Sequence, residues 1–286
     1  MKIQPYNNLR SVIDNYDAFI IDLWGVIHDG IVAYPGVNDC LGQMKNKGKK
    51  IIFLSNAPRR AFRAVEGLIR VGVPDNLYDH IITSGEVTHE YIKSNKHGLG
   101  KKYLMIGPDR DADLINDLDY QLVSSPADAD FIIVTGFDND DDILEDKIPL
   151  LNECLIHNLP LICANPDYVI VRQSGKRALC AGAIAEKYAD MGGTITQFGK
   201  PYEQVYHKAL SLINCKIDRV AAIGDNLDTD IKGAINFGID SYLIAGGILG
   251  EELGIKHGEL PESGKLQLVC EQSGNIPKGV LPAFVW

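Results

Sequence analysis

Residues 19–30 read Phe19-Ile20-Ile21-Asp22-Leu23-Trp24-Gly25-Val26-Ile27-His28-Asp29-Gly30, and their reading decides the fold. A short apolar run delivers Asp22 to a point where Gly25 and Gly30 let the backbone turn away, which suits a carboxylate displayed at the C-terminal end of a buried strand. Open α/β sheets place their chemistry along that edge. Taken alone, the stretch reads equally as a buried strand and turn with an incidental acid.

Working outward, Asp17–Leu23 is expected to be the first strand and Val37–Lys47 a helix with apolar positions at Val37, Leu41 and Met44. Lys49–Leu54 is a second strand ending at Ser55-Asn56, and its unbroken apolar run suits a parallel sheet covered on both faces. A helix over Arg60–Val71, closed by Gly72, leads to a third strand over Ile81–Gly85 and a helix over Glu86–Ser94. From Lys101 the pattern restarts: strand Tyr103–Pro108, helix Asp111–Leu118, strand Phe131–Thr135, helix Ile143–His157, strand Leu159–Cys163. That restart implies a second, smaller α/β unit. A helix over Ala181–Met191 and the segment Thr194–Phe198 lead into Gly199-Lys200-Pro201. Helix Tyr202–Ile213, strand Arg219–Ile223 ending in Gly224-Asp225, helix Asp230–Phe237 and strand Ser241–Ala245 follow. Residues after about Gly258 read as less regular and carry no motif.

The chain has 286 residues, 45% hydrophobic and 23% charged, a length that favours two domains over one. A net charge of -10 argues against a nucleic-acid polymer as partner, because no basic face is available to release counterions. Small anionic substrates stay open where a metal ion or local cation offsets the field. The six cysteines are scattered without C-x-x-C pairs and read as reduced thiols, so a cytoplasmic location is expected. No stretch approaches the ~18 apolar residues of a membrane span, and no membrane partner is expected.

Four strand ends offer groups fit for phosphate chemistry: Asp22, Ser55, Lys200 and Asp225. In a parallel sheet such ends share one edge. Two carboxylates can hold a hard cation such as Mg²⁺, Ser55 can donate to a phosphoryl oxygen, and Lys200 can neutralise developing charge.

Asp22-x-Trp-Gly-Val, Ser55-Asn56, Gly199-Lys200-Pro201 and Gly224-Asp225-Asn-Leu-Asp-Thr-Asp230, in that order, resemble the four motifs of the haloacid dehalogenase (HAD) superfamily. The long insertion between the second and third motifs is similar to its class IIA branch, which includes p-nitrophenyl-phosphate, nucleotide and sugar-phosphate phosphatases. Phe137-Asp138 and Asn165-Pro166-Asp167 resemble cap segments of that branch. The resemblance implies an α/β fold: a Rossmann-like parallel-sheet core formed by residues 1–83 and 179–286, with an inserted α/β cap of the C2 type at 84–178. It implies a phosphatase acting on a small phosphorylated metabolite, with Asp22 as nucleophile and an aspartyl-phosphate intermediate. Mg²⁺ would be held by Asp22, the Trp24 carbonyl and Asp225. Ser55, Asn56, Gly25 and Lys200 would bind phosphate, with Asp230 and Asn226 in support.

At position 24 the chain departs from the pattern, which usually has an Asp there to protonate the leaving group and then activate water. Indole cannot exchange a proton near neutral pH. Three explanations stand side by side: His28 or Asp29 supplies the proton, the enzyme is restricted to activated esters or anhydrides, or the protein is a dehalogenase. A phosphometabolite sensor without turnover is a further reading.

The remaining features carry structural expectations. Asp138–Asp142 is read as the acidic approach to a helix N-terminus. Arg59, Arg60, Arg172, Lys176 and Arg177 are read as surface pairs or substrate contacts, and the seven histidines show no metal-ligand spacing. A cap face or the apolar Leu281–Trp286 is the expected surface for a partner, a homodimer included.

Overall fold

The computed structural model describes residues 2–94, 98–171 and 176–286. Its strands are β1 (Gln4–Pro5), β2 (Ala18–Ile21), β3 (Lys50–Ser55), β4 (His80–Thr83), β5 (Lys102–Ile106), β6 (Gln121–Val123), β7 (Phe131–Val134), β8 (Leu161–Cys163), β9 (Val169–Val171), β10 (Arg177–Leu179), β11 (Ile195–Gln197), β12 (Val220–Gly224), β13 (Asp240–Ile244) and β14 (Gly279–Leu281). The helices are α1 (Val37–Asn46), α2 (Ala61–Arg70), α3 (Ser84–Ser94), α4 (Ile148–Ile156), α5 (Ala181–Asp190), α6 (Glu203–Ser211), α7 (Lys232–Phe237), α8 (Gly247–Leu253) and α9 (Ser263–Ser273).

The chain divides into two compact units, residues 1–55, 65–82 and 200–286 in the first and 56–64 and 83–199 in the second. The first unit holds a seven-stranded sheet in the order β1-β14-β13-β12-β2-β3-β4. From β2 the chain grows one flank through β3 and β4 and later the other through β12, β13 and β14, so the order reverses between β2 and β12. Such a reversal leaves a crevice at the strands' C-terminal ends. The parallel register sets Ile21 beside Phe53 of β3 and beside Ile223 of β12, which brings Asp22, Ser55 and Asp225 to that edge.

β2 lies between two parallel neighbours and all four of its residues are buried, which is why it reads as a continuous apolar run. Phe19, Ile21, Phe53, Ile223 and Tyr242 join Leu41, Met44 and Phe284 in the larger core of this unit. A second cluster, with Ile231, Leu243, Leu266 and Cys270, covers the other side.

The second unit is a five-stranded sheet, β11-β8-β7-β5-β6, with a separate two-stranded β9–β10 ribbon. Ile132, Val134, Leu161, Ile184 and Tyr188 centre its own core.

Five expectations are corrected. The helix expected over Asp111–Leu118 is a short 3₁₀ turn over Asp109–Leu114, and residues 56–64, expected in the first unit, group with the second. The boundary at 178/179 moves to 199/200, because β11 pairs in parallel with β8 and α5 packs into the second unit's core. The stretch after Gly258 is regular, comprising α9 and the sheet strand β14. Leu281 and Phe284 are buried in the first unit's own core, so the C-terminal apolar run is interior rather than a surface for a partner.

All six cysteines are free and five are buried. Among the described residues no helix is long and apolar enough to cross a membrane.

Candidate active site

Asp22 follows β2, and its N–H donates to the Ile223 carbonyl at 2.9 Å, carrying the β2–β12 ladder one residue past the strand. From there the chain folds on itself. The Ile27 and His28 N–H groups donate to the Leu23 carbonyl, and the Gly25 N–H donates to that of His28 at 3.0 Å. Gly25 adopts φ +83°, and a Cβ there would fall 1.9 Å from Asp225 Oδ2. The position therefore needs glycine twice, for its left-handed backbone and for the carboxylate lying against it.

Gly224, ending β12, makes room for Asp230 by its missing side chain alone, since a Cβ would lie 2.1 Å from the Asp230 carboxyl carbon. Asp230 is aimed by one wide helical turn over Leu227–Ile231. The Asn226 side chain opens that turn by accepting the Asp228 and Thr229 N–H groups at 2.8 and 3.2 Å. The Tyr206 hydroxyl donates to the Asp230 backbone carbonyl at 3.4 Å from beneath.

Lys200 ties the carboxylates together. Its ammonium donates to Asp22 Oδ1 and, at 2.7 Å, to Asp230 Oδ1, and all three side chains are buried. Burial alone would lower the Lys200 pKa, but the charges of Asp22 and Asp230 outweigh it and hold the lysine cationic. Asp230 is pushed up to about 6, by burial first and then by Asp22, against the pull of Lys200. The Asp225 carboxyl is driven well above the ordinary carboxylate range by burial and by the Asp22 and Asp230 charges.

Asp22, Asp225 and Asp230 each present an oxygen within 4.8 Å of the others. Three hard oxygen donors around one point, with more negative charge than one lysine offsets, fit a divalent cation.

The sequence expectations fall into place unevenly. Ser55 ends β3 at the same edge. Asn56 groups with the second unit, where its side-chain amide donates to Asp167 Oδ1 at 2.8 Å. Asp29 accepts the Ile31 and Val32 N–H groups at 2.8 and 2.9 Å, and these backbone bonds hold its carboxyl below the usual range. His28 Nδ1 accepts the Gly30 N–H at 3.0 Å, and burial lowers the ring's pKa. The Trp24 indole is half-buried, edge-on to His28 at 5.8 Å between centroids. It lies over Gly30, where a Cβ would come within 2.5 Å of the ring.

The flanking charges form local pairs. Arg59 pairs with Asp111, and Arg60 with Glu86 and Asp117. Asp142 caps the Asp138 and Asn139 N–H groups, so the acidic run builds its own turn. Lys147 pairs with Asp138 and Lys176 with Asp141. Arg177 opens β10, while Arg172 lies outside the described residues.

Two site neighbours escape a motif reading. Tyr206 belongs to the apolar face of α6, a pattern that signals core rather than site. Tyr34 is half-buried and pushed up to about 12 by burial and the Asp225 and Asp29 charges, and no motif marks it.

Family models described as haloacid dehalogenase-like hydrolase and HAD-hydrolase-like match residues 19–121 and 197–263. A crystal structure of a haloacid dehalogenase-like hydrolase from Brucella suis is 32% identical, covers 98% of this chain and 100% of its own, and superposes with a TM-score of 0.84. The chain therefore belongs to the haloacid dehalogenase-like hydrolases. It is also similar to the 4-nitrophenylphosphatase of Thermotoga maritima, 25% identical over 94% of this chain and 95% of that one with a TM-score of 0.68. An acid sugar phosphatase of Staphylococcus epidermidis is 26% identical over 235 residues, 82% of this chain and 88% of that protein.

Proposed function

We propose that this hydrolase is a divalent-metal-dependent phosphatase that acts on a small phosphorylated metabolite through Asp22. The observation carrying the reading is the buried Asp22–Lys200–Asp230 triad beside Asp225. It joins a carboxylate positioned to attack phosphorus to a fixed cation and a cation-binding acid pair. The relatives named as phosphatases support the reaction class.

Mg²⁺ is the expected ion, with Asp22, Asp225 and the Trp24 backbone carbonyl as its protein ligands. When bound it would offset the charge of the transferring phosphoryl group and hold that group in line with Asp22. Lys200 pairs with Asp22 and adds positive charge where the transition state gains negative charge. Ser55 and the backbone around Gly25 donate to phosphoryl oxygens, while Asp230, braced by Asn226 and Tyr206, fixes the direction of the Lys200 ammonium. Attack by Asp22 gives an aspartyl-phosphate, and water releases it, so one hard displacement becomes two easier ones. A dehalogenase would have no use for the metal-binding acids.

The test is acid-quench trapping with labelled acetyl phosphate and phosphate release from p-nitrophenyl phosphate, each with Mg²⁺ and with chelator. Label on Asp22 that disappears in Asp22→Asn, and turnover that chelator abolishes, are expected. Wild-type protein that neither takes label nor releases phosphate from any phosphoryl donor overturns the reading.

A further inference from the structure

Resting on that reading, we infer that the substrate is a phosphoryl donor whose leaving group departs as a stable anion: an acyl phosphate, a phosphoanhydride or an aryl or enol phosphate rather than an alkyl phosphate. The inference comes from what surrounds Asp22 within the first unit. Leu23–Gly30 is closed by its own hydrogen bonds over the end of β2, and each side chain on it with a bearing on proton transfer is committed elsewhere. Trp24, next but one to Asp22, contributes an indole pinned between the Gly30 backbone and the His28 ring. Asp29 is turned back onto the Ile31 and Val32 N–H groups. The His28 Nδ1 lone pair accepts the Gly30 N–H, which holds the ring as the neutral Nε2–H tautomer rather than an imidazolium acid.

Of the other polar groups of the cluster, Lys200 and Asp230 are equally engaged, and Asp225 is assigned to the cation. Lys200 directs its ammonium at Asp22 and Asp230. Asp230 spends one oxygen on that ammonium and the other on the Asn226 N–H at 3.3 Å. Among the described residues of this unit, the loop after Asp22 offers charge and hydrogen bonds to a phosphoryl group but places no acid to protonate a departing oxygen.

The chemistry balances without one only for certain donors. An Asp22 oxygen attacks phosphorus while the P–O bond to the leaving group breaks, and the leaving oxygen keeps the electron pair. Carboxylate, phosphate and aryloxide are stable in that form, whereas an alkoxide must be protonated as it leaves. Water then attacks phosphorus, the P–O bond to Asp22 breaks, the Asp22 carboxylate is restored, and water's proton passes to solvent. General acid catalysis is worth roughly 10²–10⁴-fold, which sets the handicap for alkyl esters.

Single-turnover labelling of the wild-type, Mg²⁺-loaded protein with acetyl phosphate, p-nitrophenyl phosphate, phenyl phosphate and glycerol phosphate tests this directly. The phosphorylation rate is expected to fall across the series by about 10²-fold or more, and Trp24→Asp is expected to raise the glycerol phosphate rate by about 10²-fold with no comparable gain for acetyl phosphate. A glycerol phosphate rate within tenfold of the acetyl phosphate rate overturns the inference and leaves the phosphatase reading standing. A steep series that a folded Trp24→Asp protein leaves equally steep also overturns it. Should that variant not fold, the wild-type series decides alone. Absence of label from every donor defeats the phosphatase reading itself.

Discussion

Gly25 shows how little room separates the loop after Asp22, the proposed nucleophile, from Asp225, the proposed metal ligand. Alanine there meets both the +83° backbone and the Asp225 carboxylate, 1.9 Å from where its Cβ must go. Gly25→Ala is expected to cost about 1–2 kcal/mol in stability from the left-handed backbone. By displacing Asp225 it should also weaken Mn²⁺ or Mg²⁺ binding at least tenfold, read by urea titration and calorimetric titration respectively. That Asp22, Ser55 and Asp225 share one edge was legible, because strand ends converge wherever the sheet is parallel. The bracing from Tyr206 was not, because a tyrosine on the apolar face of a helix has the pattern of core. Asn56 reads as a continuation of Ser55, yet its amide serves Asp167, a partner far along the chain.

Asp79 does for the elements what Gly25 does for the site. Just before β4, it accepts the Ile51 N–H of β3 at 2.9 Å and the Lys45 and Lys50 ammonium groups at 3.1 and 3.2 Å, tying α1, β3 and β4 together. Burial alone would raise its pKa, but these hydrogen bonds prevail and lower it. A folded pKa below the unfolded one stabilises above the ordinary carboxylate range, and that stability is lost as pH falls through the folded value. Urea midpoints between pH 3 and 6 are therefore expected to fall toward acid more steeply in wild type than in Asp79→Asn. The variant should also be about 1–2 kcal/mol less stable at pH 6.

The long strands and helices were legible from apolar runs and helical spacing. α9 escaped because only Leu266 and Cys270 of its length are buried, a stripe too thin to show a period. β1, β6, β9, β10 and β14 are two or three residues long, too short for any alternation to register.

At the scale of the molecule, the two units have separate cores, and the last strand of the first unit is supplied by the end of the chain. Phe284→Ala removes a fully buried ring from that core and is expected to cost about 3–5 kcal/mol. Hydrogen exchange should show the loss across β12, β13 and β14 while β7 and β8 keep their protection. Uniform loss over both sheets would mean the units unfold as one. The existence of a second unit was legible from the strand–helix alternation restarting at Lys101. Its far boundary was not, because β11 belongs to the second sheet only through pairing with β8, more than thirty residues earlier.

The indole clamped over Gly30 also makes the molecule its own optical instrument. The chain has two tryptophans, and Trp286 packs at the rim of the first core with Lys47 near its ring. Replacing Trp286 with Phe leaves Trp24 as the sole indole emitter, two residues from the carboxylate proposed to take the phosphoryl group. If Asp22 is loaded as proposed, the indole emission should shift on loading and recover as Asp22 empties, so that the lifetime of the proposed covalent state is followed by light, without label or quench.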